Sequence, residues 1–464
     1  MDERLPGAPT DDQRGGRVVL HVDMDCFYAS CERLKEPVLA EEPVVVGMGY
    51  EPGDTIGAVA TASYEARAFG VESAQPISEA LDRLPRVADA DPDDPDAPDP
   101  EAAGHYRPVD MEFYKEVAAD VKAVLHDLAD TVREVSIDEA YLDVTDRTSW
   151  ATVGDSDGDD DDDRGDDRTL AEGFARHVRQ RIEREAGVPA SVGVAPNMAT
   201  AKVASDHDKP EGLTVVRPGE AAEFLAPLPV SDIHGVGPVT ASDLAGMGIE
   251  TAGDLADADP TELEARFGSR GREFHERANG RDDREVTPTG RPKSLSRESA
   301  FAEATDDDEA KRERVRALAA DVADRARSRE AMYRTIGVKV VRPPFDVNTR
   351  ADSLSGPVDD PDLVEEVALD LLEEFEGEAV RKLGVRVSKL SFAEADQATL
   401  GGYEGDTGGD ADAISTTNTD GNAGGVTRRS ADGDATLDEW TDADHDAERE
   451  RRGRRGQVDL GEFE

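Results

Sequence analysis

Two short segments of this 464-residue chain place carboxylates at the ends of apolar runs. Asp23 follows Val18–Val22, while Asp138 and Glu139 follow Val132–Ile137. Runs of this kind predict β-strands, and neighbouring strands would bring the three carboxylates together. Oxygen ligands suit Mg²⁺, which also takes ligands from substrate phosphates. The two segments therefore predict a site for two-metal phosphoryl transfer.

The same residues also have a simpler interpretation. An Asp that follows a hydrophobic strand is commonly a turn or cap residue, and an Asp-Glu pair in a hairpin is commonly solvated. The segments alone do not decide between the two interpretations. The decision depends on the signals carried by the remainder of the chain.

Strand and helix candidates alternate from Arg17 to Val216, with a long helix predicted over Met111–Leu128, and this alternation indicates a mixed α/β core. Residues 217–284 predict short helices with Gly-rich turns. After a polar linker at 285–293, residues 294–392 predict a compact βαββαβ module. The flanking segments have the composition of disordered chain; they are residues 1–16 and 393–464.

Two acidic insertions interrupt the α/β core, at residues 89–100 and 154–167. Their carboxylates could in principle bind metal ions. We expect solvated, disordered surface loops instead, because the runs lack apolar residues to organise them.

The charge balance is strongly acidic, with a net charge of -52 from 105 acidic and 53 basic residues, only 10 of them Lys. Few Lys, abundant Asp and 37% hydrophobic residues are typical of proteins adapted to concentrated salt, which screens the self-repulsion. The alternative, that acidic low-complexity segments alone cause the imbalance, is less favoured because acidic residues occur throughout the chain. Residues 291–392 carry a net charge of only -4, so a DNA-facing surface could lie there.

Only two cysteines occur, Cys26 and Cys31, which cannot form a disulfide scaffold or a zinc site by themselves. We expect both to be reduced packing residues. The sequence shows no apolar leader and no apolar run long enough for a membrane span. A soluble cytoplasmic protein with no membrane partner is expected.

A third signal is the segment Gly57–Val71. It predicts a strand of small residues followed by a helix on which Tyr64 and Arg67, three positions apart, share a face. Arginine offers a planar set of donors for phosphate oxygens. Taken alone, this segment favours an ordinary helix with a surface ion pair.

Four motifs together resemble the Y family of DNA polymerases, the translesion enzymes. They are Asp23–Tyr28 (DMDCFY), Ala60–Arg67 (ATASYEAR), Ser136–Asp143 (SIDEAYLD) and Lys209–Gly212 (KPEG). The resemblance extends from about Arg17 to Phe392. It implies an α+β multidomain fold of the right-hand polymerase type. Its parts are a mixed-sheet palm with small fingers in 17–216 (fingers about 28–85), a helical thumb in 217–284 and a βαββαβ little finger in 294–392.

The resemblance also implies roles for individual residues. Asp23, Asp138 and Glu139, with the backbone carbonyl of Met24, match the ligands of two Mg²⁺ ions. Tyr28 matches the steric gate that excludes a ribose 2′-hydroxyl. Residues expected to bind the nucleotide are Phe27, Tyr64, Arg67 and Lys209, and the small residues expected above the nascent base pair are Ala58, Ala60 and Ala74.

Two other acidic residues in the motifs are left with structural roles. Asp25 lies on the same turn as Asp23, and its side chain could serve the metals or fix the local backbone. Asp143 ends the second carboxylate segment. We assign both to structural roles, and only Asp23, Asp138 and Glu139 to metal binding.

The remaining residues implied by the resemblance concern partners. Gly235 and Gly237 match a helix-hairpin-helix, whose glycines let the backbone approach a DNA phosphate. Basic and polar residues predicted on one face of the little-finger strands are Thr335, Lys339, Lys382 and Arg386. The end of the printed sequence has a Gln-x-x-Leu-x-x-Phe pattern similar to sliding-clamp-binding peptides; its residues are Gln457, Leu460 and Phe463, with a weaker second candidate at Thr436–Trp440.

The expected protein is a monomeric, template-directed DNA polymerase of the translesion type, with primer–template DNA, dNTPs and a sliding clamp as partners. One alternative is a palm-type nucleotidyl cyclase or metal nuclease that uses the same carboxylates. A second is a non-catalytic DNA-binding factor tethered to the clamp. The first would not need the helix-hairpin-helix, the basic-faced sheet or the steric gate. The intact carboxylates argue against the second.

Overall fold

The structure, a computed structural model, describes residues 16–91, 94, 97–152 and 168–392. The chain divides into two compact units, with the boundary between Thr289 and Gly290. Several predictions lie outside the described residues: those for 1–15, the insertion 154–167, part of the insertion 89–100 and the tail 393–464 with Gln457, Leu460 and Phe463.

The described part of the first unit contains β1 to β8 and α1 to α11. The strands are β1 (Val19–Met24), β2 (Val44–Met48), β3 (Ala58–Ala62), β4 (His105–Pro108), β5 (Thr131–Glu134), β6 (Glu139–Asp143), β7 (Ala190–Ala195) and β8 (Leu213–Val215). The helices are α1 (Phe27–Lys35), α2 (Tyr64–Ala68), α3 (Ile77–Arg83), α4 (Met111–Leu128), α5 (Leu170–Ala186), α6 (Met198–His207), α7 (Ala221–Leu225), α8 (Pro238–Ala245), α9 (Ala252–Asp257), α10 (Pro260–Phe267) and α11 (Ser269–Ala278).

A five-stranded mixed sheet with the order β5-β6-β1-β7-β8 forms the centre of this unit. The central strand β1 pairs antiparallel with both β6 and β7. Successive side chains of a strand point to opposite faces. Accordingly, Leu20 and Val22 join the core that includes α4 and α5, whereas Val19 joins the core that includes α6. Because helices cover both faces of the sheet, β1 is a nearly continuous apolar run, as the sequence indicated.

A smaller three-stranded sheet, in the order β3-β2-β4, carries the segment from Val44 to Pro108. Its helix α2 begins at a cap in which the Ser63 hydroxyl accepts from Ala66 N and Val44 N. Strand β4 was not predicted. It has only four residues and ends in Pro108, so its sequence carries neither the length nor the alternation of a strand.

The helices α7 to α11 form a separate apolar core built on Leu244, Leu255, Leu263 and Phe274. A capping box starts α9, because Thr251 and Asp254 satisfy each other's backbone N–H groups. Glycine-containing turns join these short helices, in agreement with the sequence prediction.

The second unit is a four-stranded antiparallel sheet with two helices. Its elements are β9 (Ser294–Thr305), α12 (Asp308–Ser328), β10 (Ala331–Arg342), β11 (Asp346–Val358), α13 (Pro361–Leu372), β12 (Val380–Ser388) and β13 (Ser391–Phe392). The sheet order is β11-β10-β12-β9, and the short β13 pairs with β10. This confirms the βαββαβ order, with β13 as an addition. Val338, Val340, Leu383 and Val385 form the buried face against the helices.

The boundaries of the longer elements agree closely with the sequence predictions. The helix predicted over Met111–Leu128 is α4, with the same limits. The strand predicted over Val132–Ile137 is shorter, because Ser136 turns the chain before β6. Among the residues described, no helix is long and apolar enough to cross a membrane.

Candidate active site

The pairing of β1 with β6 brings the predicted metal ligands to one end of the central sheet. Asp23 stands directly opposite Glu139 in the antiparallel register. The Met24 N–H donates to the carbonyl of Asp138 at 2.9 Å, which ties the turn before β6 to the end of β1. Asp23 thus becomes a neighbour of Asp138 and Glu139, more than a hundred positions away in the chain, through backbone hydrogen bonds.

Asp23 is bound to a lysine from the loop after α6. The Lys209 ammonium lies 2.7 Å from Asp23 Oδ1 and 2.7 Å from Asp206 Oδ1. Burial raises the pKa of Asp23 to about 6, even though Lys209 favours its ionised form. The pKa of Lys209 is also raised, since Asp23 and Asp206 outweigh the effect of burial. The lysine predicted to bind a triphosphate therefore lies beside a predicted metal ligand.

Glu139 has two basic partners that the sequence did not single out. Lys202 on α6 donates to Glu139 Oε2 at 2.7 Å, and Nε2 of the fully buried His21 lies 3.5 Å from the same oxygen. Burial favours the protonated form of Glu139, but the interactions with His21 and Lys202 prevail and lower its pKa to about 2. Glu139 is therefore a carboxylate throughout the neutral range, as a metal ligand must be.

Asp138 lies in a hydroxyl-stabilised turn. Its N–H and that of Glu139 donate to the Ser136 hydroxyl at 3.1 and 3.0 Å, and this hydroxyl donates to Asp138 Oδ1. Within the described ranges, no group of three His, Cys, Asp or Glu side chains has the arrangement of a metal site. Each of the three carboxylates has a hydrogen-bond donor of its own in this structure. The donor set itself, carboxylates beside a backbone carbonyl, fits a hard divalent cation.

Tyr28 lies on the first turn of α1 and is half-buried. Its ring stacks on that of Tyr114, with centroids 4.6 Å apart and planes at 18°. The Tyr114 hydroxyl in turn donates to Glu32 at 2.6 Å, in the core. A ring held in this way has the rigidity that a steric gate requires.

Phe27, predicted to bind the nucleotide, is only 2% exposed and belongs to the apolar core. The expectation is therefore corrected for its side chain, which is used in packing. Its backbone N–H remains suitable for a phosphate, because the first residue of an α-helix has no intrahelical acceptor for this group.

Tyr64 and Arg67 lie on α2, as predicted, and they contact each other. The Arg67 guanidinium lies 4.8 Å from the centroid of the Tyr64 ring, and Arg67 Nε donates to the carbonyl of Ala62 at 3.0 Å. Tyr64 Oη donates to Asp25, 3.2 Å away, on the turn between β1 and α1. This hydrogen bond connects α2 to the turn that follows Asp23.

The three alanines expected above the base pair occupy two kinds of position. Ala58 and Ala60 are half-buried on the same face of β3, with Val59 buried on the opposite face. Ala74 is exposed in a left-handed turn with φ 69, and its N–H donates to the carbonyl of Val59 at 2.8 Å. All three therefore lie on β3 or are hydrogen-bonded to it.

The predicted helix-hairpin-helix places Gly237 at the N-cap of α8 and Gly235 in the preceding turn. Gly235 has φ 93, a left-handed conformation that favours glycine, and a Cβ there would lie 2.7 Å from the guanidinium of Arg277, which would have to shift. Arg277 and Arg270 donate to the carbonyls of His234 and Gly235 at 2.9 and 3.1 Å. These contacts fix the turn before the N-terminus of α8.

In the second unit, the β-sheet register puts Thr335, Lys339, Lys382 and Arg386 on the face opposite the apolar core. Lys339, however, is only 5% exposed, and its ammonium donates to Glu298 on β9 at 2.9 Å. Lys382 forms an ion pair with the same carboxylate. The expectation of an open basic face is therefore corrected at Lys339, whose charge is already bound.

Sequence reasoning missed several residues of the site. They are His21, Lys202, Asp206, Ser191 and Tyr114, and each contacts a residue that the motifs did identify. Only His21 carried a usable signal, because period-two alternation puts it on the same face of β1 as Asp23. Asp206 lies only three positions before its partner Lys209, but its residue type is common in this acidic chain. Lys202, Ser191 and Tyr114 come from elements that are distant in the chain from their partners.

Comparison with known proteins agrees with this geometry. The model of the impB/mucB/samB family matches residues 22–206, and the model of its C-terminal domain matches 292–400. The helix-hairpin-helix model of the same family matches 218–249. A DNA polymerase IV of Halobacterium salinarum is 60% identical over 88% of this chain and 92% of its own length. The DNA polymerase IV of Methanoculleus marisnigri is 42% identical over 83% of this chain and 98% of its own.

Solved structures show the same similarity. A Y-family DNA polymerase chimera of Dbh and Dpo4 is 27% identical, with a TM-score of 0.67, over 81% of this chain and 99% of its own. An insertion ternary complex of Dbh DNA polymerase is 25% identical, with a TM-score of 0.54 and the same coverage.

The fold and the site define a right-hand polymerase with a carboxylate-bearing palm sheet, and the chain belongs to the impB/mucB/samB family, the Y family of DNA polymerases. Within that family it is of the DNA polymerase IV type, a translesion DNA-directed DNA polymerase. An enzyme of this family depends on a divalent metal ion.

Proposed function

We propose that the enzyme adds dNMPs to a primer 3′-hydroxyl with two Mg²⁺ ions held by Asp23, Asp138, Glu139 and the Met24 carbonyl. The observation that supports this most strongly is the position of Asp23, which faces Glu139 across the β1–β6 pair with Lys209 2.7 Å away. Carboxylates that could bind metal ions and a lysine that could bind phosphate are therefore neighbours at this end of the sheet.

When bound, the metal ions would lower the pKa of the primer hydroxyl and neutralise the triphosphate. The protein groups do the remaining work. Tyr64, Arg67 and the Phe27 backbone bind and orient the triphosphate, since helix N-termini and guanidinium groups both suit phosphate oxygens. Lys209 stabilises the negative charge that develops on the leaving pyrophosphate.

We further propose that Tyr28 is the steric gate. Its ring would lie beneath the deoxyribose and leave no space for a 2′-hydroxyl. The stacking of Tyr28 on Tyr114 supports this role, because the Tyr114 ring restricts movement of the Tyr28 ring away from the sugar of a ribonucleotide.

DNA binding is assigned to two further regions. In the thumb, residues 217–284, Gly235 and Gly237 would bring the backbone against a phosphate. In the little finger, residues 294–392, Thr335, Lys382 and Arg386 would face the duplex, with Lys339 joining them when it exchanges Glu298 for a phosphate. The palm and fingers are assigned to residues 17–216, and 285–293 is assigned as linker.

The weak grip that we expect on DNA has a physical cause. Phosphate contacts lose affinity steeply as salt rises, and the composition favours a concentrated-salt environment. We therefore propose low processivity, with tethering to a sliding clamp through Gln457, Leu460 and Phe463. Small residues on β3 also imply low fidelity. A monomer acting on DNA in the cytoplasm is the simplest arrangement.

The test of this proposal is primer extension in molar KCl with Mg²⁺, comparing the wild type with Glu139→Gln. Asp143→Asn is the matched control, because Asp143 lies on the same strand and, in the part of the chain that the structure describes, its carboxylate accepts hydrogen bonds from Thr145 alone. We expect template-directed extension by the wild type and the control, and none by Glu139→Gln. Extension that survives Glu139→Gln would refute the metal-ligand assignment, whereas DNA binding without extension by the wild type would favour a non-catalytic factor.

A further inference from the structure

Asp25 is one of the most connected buried side chains of the first unit. It is only 2% exposed and accepts hydrogen bonds from three different segments. Tyr64 Oη donates to Oδ1 at 3.2 Å, Ser191 Oγ donates at 2.9 Å, and the backbone N–H of Glu211 donates to Oδ2 at 2.8 Å. A turn residue with only a local role would not need partners on α2, on β7 and in the loop before β8.

Ser191 completes the arrangement. Its hydroxyl donates to Asp25 and accepts from the N–H of Gly212 at 3.0 Å. Asp25 and Ser191 therefore bind two consecutive backbone N–H groups, those of residues 211 and 212. These residues immediately follow Lys209 and Pro210 in the chain.

The geometry of this loop shows that it is held in place and would not adopt its shape unaided. Glu211 has φ 53, a left-handed conformation that is unfavourable for a residue other than glycine and persists only where its surroundings impose it. Its N–H is bound by Asp25, and its carbonyl accepts from Arg179. A Cβ at Gly212 would lie 2.4 Å from the carbonyl oxygen of Asp208, so the loop also packs tightly on itself.

We propose that Asp25 is a positioning residue for the triphosphate of the incoming nucleotide, which it serves by fixing Tyr64 and the Lys209–Gly212 loop in one relative arrangement. The inference rests on the proposed function, because it takes Tyr64 and Lys209 as triphosphate ligands. Those two residues belong to α2 and to the loop after α6. The Asp25 carboxylate hydrogen-bonds to both of these segments.

The chemistry of the three partners explains why a carboxylate is needed. All three hydrogen bonds described above are donated to Asp25, and an ionised carboxylate is purely an acceptor. An Asn of nearly the same volume would direct an NH₂ group at one of these donors. Asp25→Asn therefore tests the hydrogen bonding with little change in packing volume.

The test measures template-directed incorporation of a single dNTP, with kcat and KM determined separately, together with the KM for inorganic pyrophosphate in the reverse reaction. We expect Asp25→Asn to raise both KM values by about tenfold, the effect of losing a buried hydrogen bond to a charged group. The kcat should also fall, because the same loop positions Lys209 against the leaving pyrophosphate, whereas the Kd for primer–template DNA should change much less. A merely structural residue would not shift the two KM values together and spare DNA binding.

Ser191→Ala gives a second, milder variant that keeps the carboxylate, and it decides the question if Asp25→Asn fails to fold. We expect KM to rise for both ligands, and the double variant to show less than the product of the two single effects, because both residues hold one loop. Asp143→Asn is again the control and should leave KM unchanged.

Unchanged KM values in Asp25→Asn and Ser191→Ala, with wild-type incorporation intact, would overturn the positioning role and leave the polymerase assignment standing. Absence of template-directed incorporation by the wild type would instead refute the proposed function itself.

Discussion

Asp23→Asn should increase the stability of the protein at neutral pH while abolishing metal binding. Burial raises the pKa of Asp23 from 3.8 to about 6. Between these pH values the folded state binds more protons than the unfolded state, so the free energy of unfolding falls as the pH rises and stays lower above about 6. At roughly 1.4 kcal/mol per pKa unit, this shift corresponds to about 3 kcal/mol.

The asparagine variant does not carry this cost, and the pKa shift from which the cost is derived already includes the favourable interaction with Lys209. Lys209 keeps Asp206 as a partner at 2.7 Å, so its charge is not left unpaired. We therefore expect a net gain of about 1–2 kcal/mol above pH 7 and little gain near pH 4.

The assay is thermal unfolding in molar KCl with a chelator present, at pH 4.5 and pH 8, for the wild type, Asp23→Asn and the control Asp143→Asn. A higher melting temperature for Asp23→Asn at pH 8, and a smaller difference at pH 4.5, would support the reasoning. If the variant is less stable than the wild type at pH 8, or equally stabilised at both pH values, burial of the ionised Asp23 carboxylate does not destabilise the folded protein.

Three further predictions concern substrate, DNA and clamp. Tyr28→Ala should admit ribonucleotides in a single-nucleotide insertion assay, whereas Tyr28→Phe should still exclude them; unchanged discrimination in Tyr28→Ala would remove the steric-gate role. Glu298→Gln should release Lys339 and Lys382 from their ion pairs and so tighten binding to duplex DNA. The slope of log Kd against log salt should become steeper by about 1, the effect of one additional phosphate contact. An unchanged slope in a fluorescence-anisotropy series would argue against a DNA-facing role for this sheet. Replacing Leu460 and Phe463 with Ala should abolish stimulation of primer extension by the sliding clamp and leave clamp-free activity unchanged; stimulation that survives would exclude this peptide as the tether.

The sequence predicted the main elements because their signals are local. Apolar runs such as Val18–Val22 became strands close to their predicted limits, and α4 has the predicted limits. The neighbourhood of Asp23 and Glu139 was predicted because each ends or begins an apolar strand of the same sheet. The resemblance of the four motifs to a known family then supplied the roles.

What the sequence could not supply depends on register between distant strands. Lys339, Gly384 and Glu298 lie in one row across β10, β12 and β9. Gly384 has no side chain between the other two, and a Cβ there would lie 2.9 Å from Glu298. Lys339 can therefore reach Glu298 across the middle strand. Nothing in the strand that carries Lys339 indicates this partner.

The partners of Asp25 were hidden for the same reason. Ser191 and Glu211 follow it by more than 160 residues, and nothing in the sequence around Asp25 indicates that it pairs with either of them. The sequence left Asp25 between a metal-binding and a backbone-fixing role. The three hydrogen-bond donors around Asp25 in the structure favour the backbone-fixing role. In that role Asp25 would position Tyr64 and the Lys209–Gly212 loop.

The central claim is that Asp23, Asp138 and Glu139 hold two divalent ions beside a bound nucleotide. The most direct test is a titration of the enzyme with Mn²⁺ in place of Mg²⁺, in which electron paramagnetic resonance measures how many ions are bound. It uses the full chain with primer–template DNA and a non-hydrolysable dNTP. We expect two tightly bound ions per chain for the wild type and for Asp143→Asn, and a loss of tight binding in Glu139→Gln. Two ions bound equally well by Glu139→Gln would contradict the assignment.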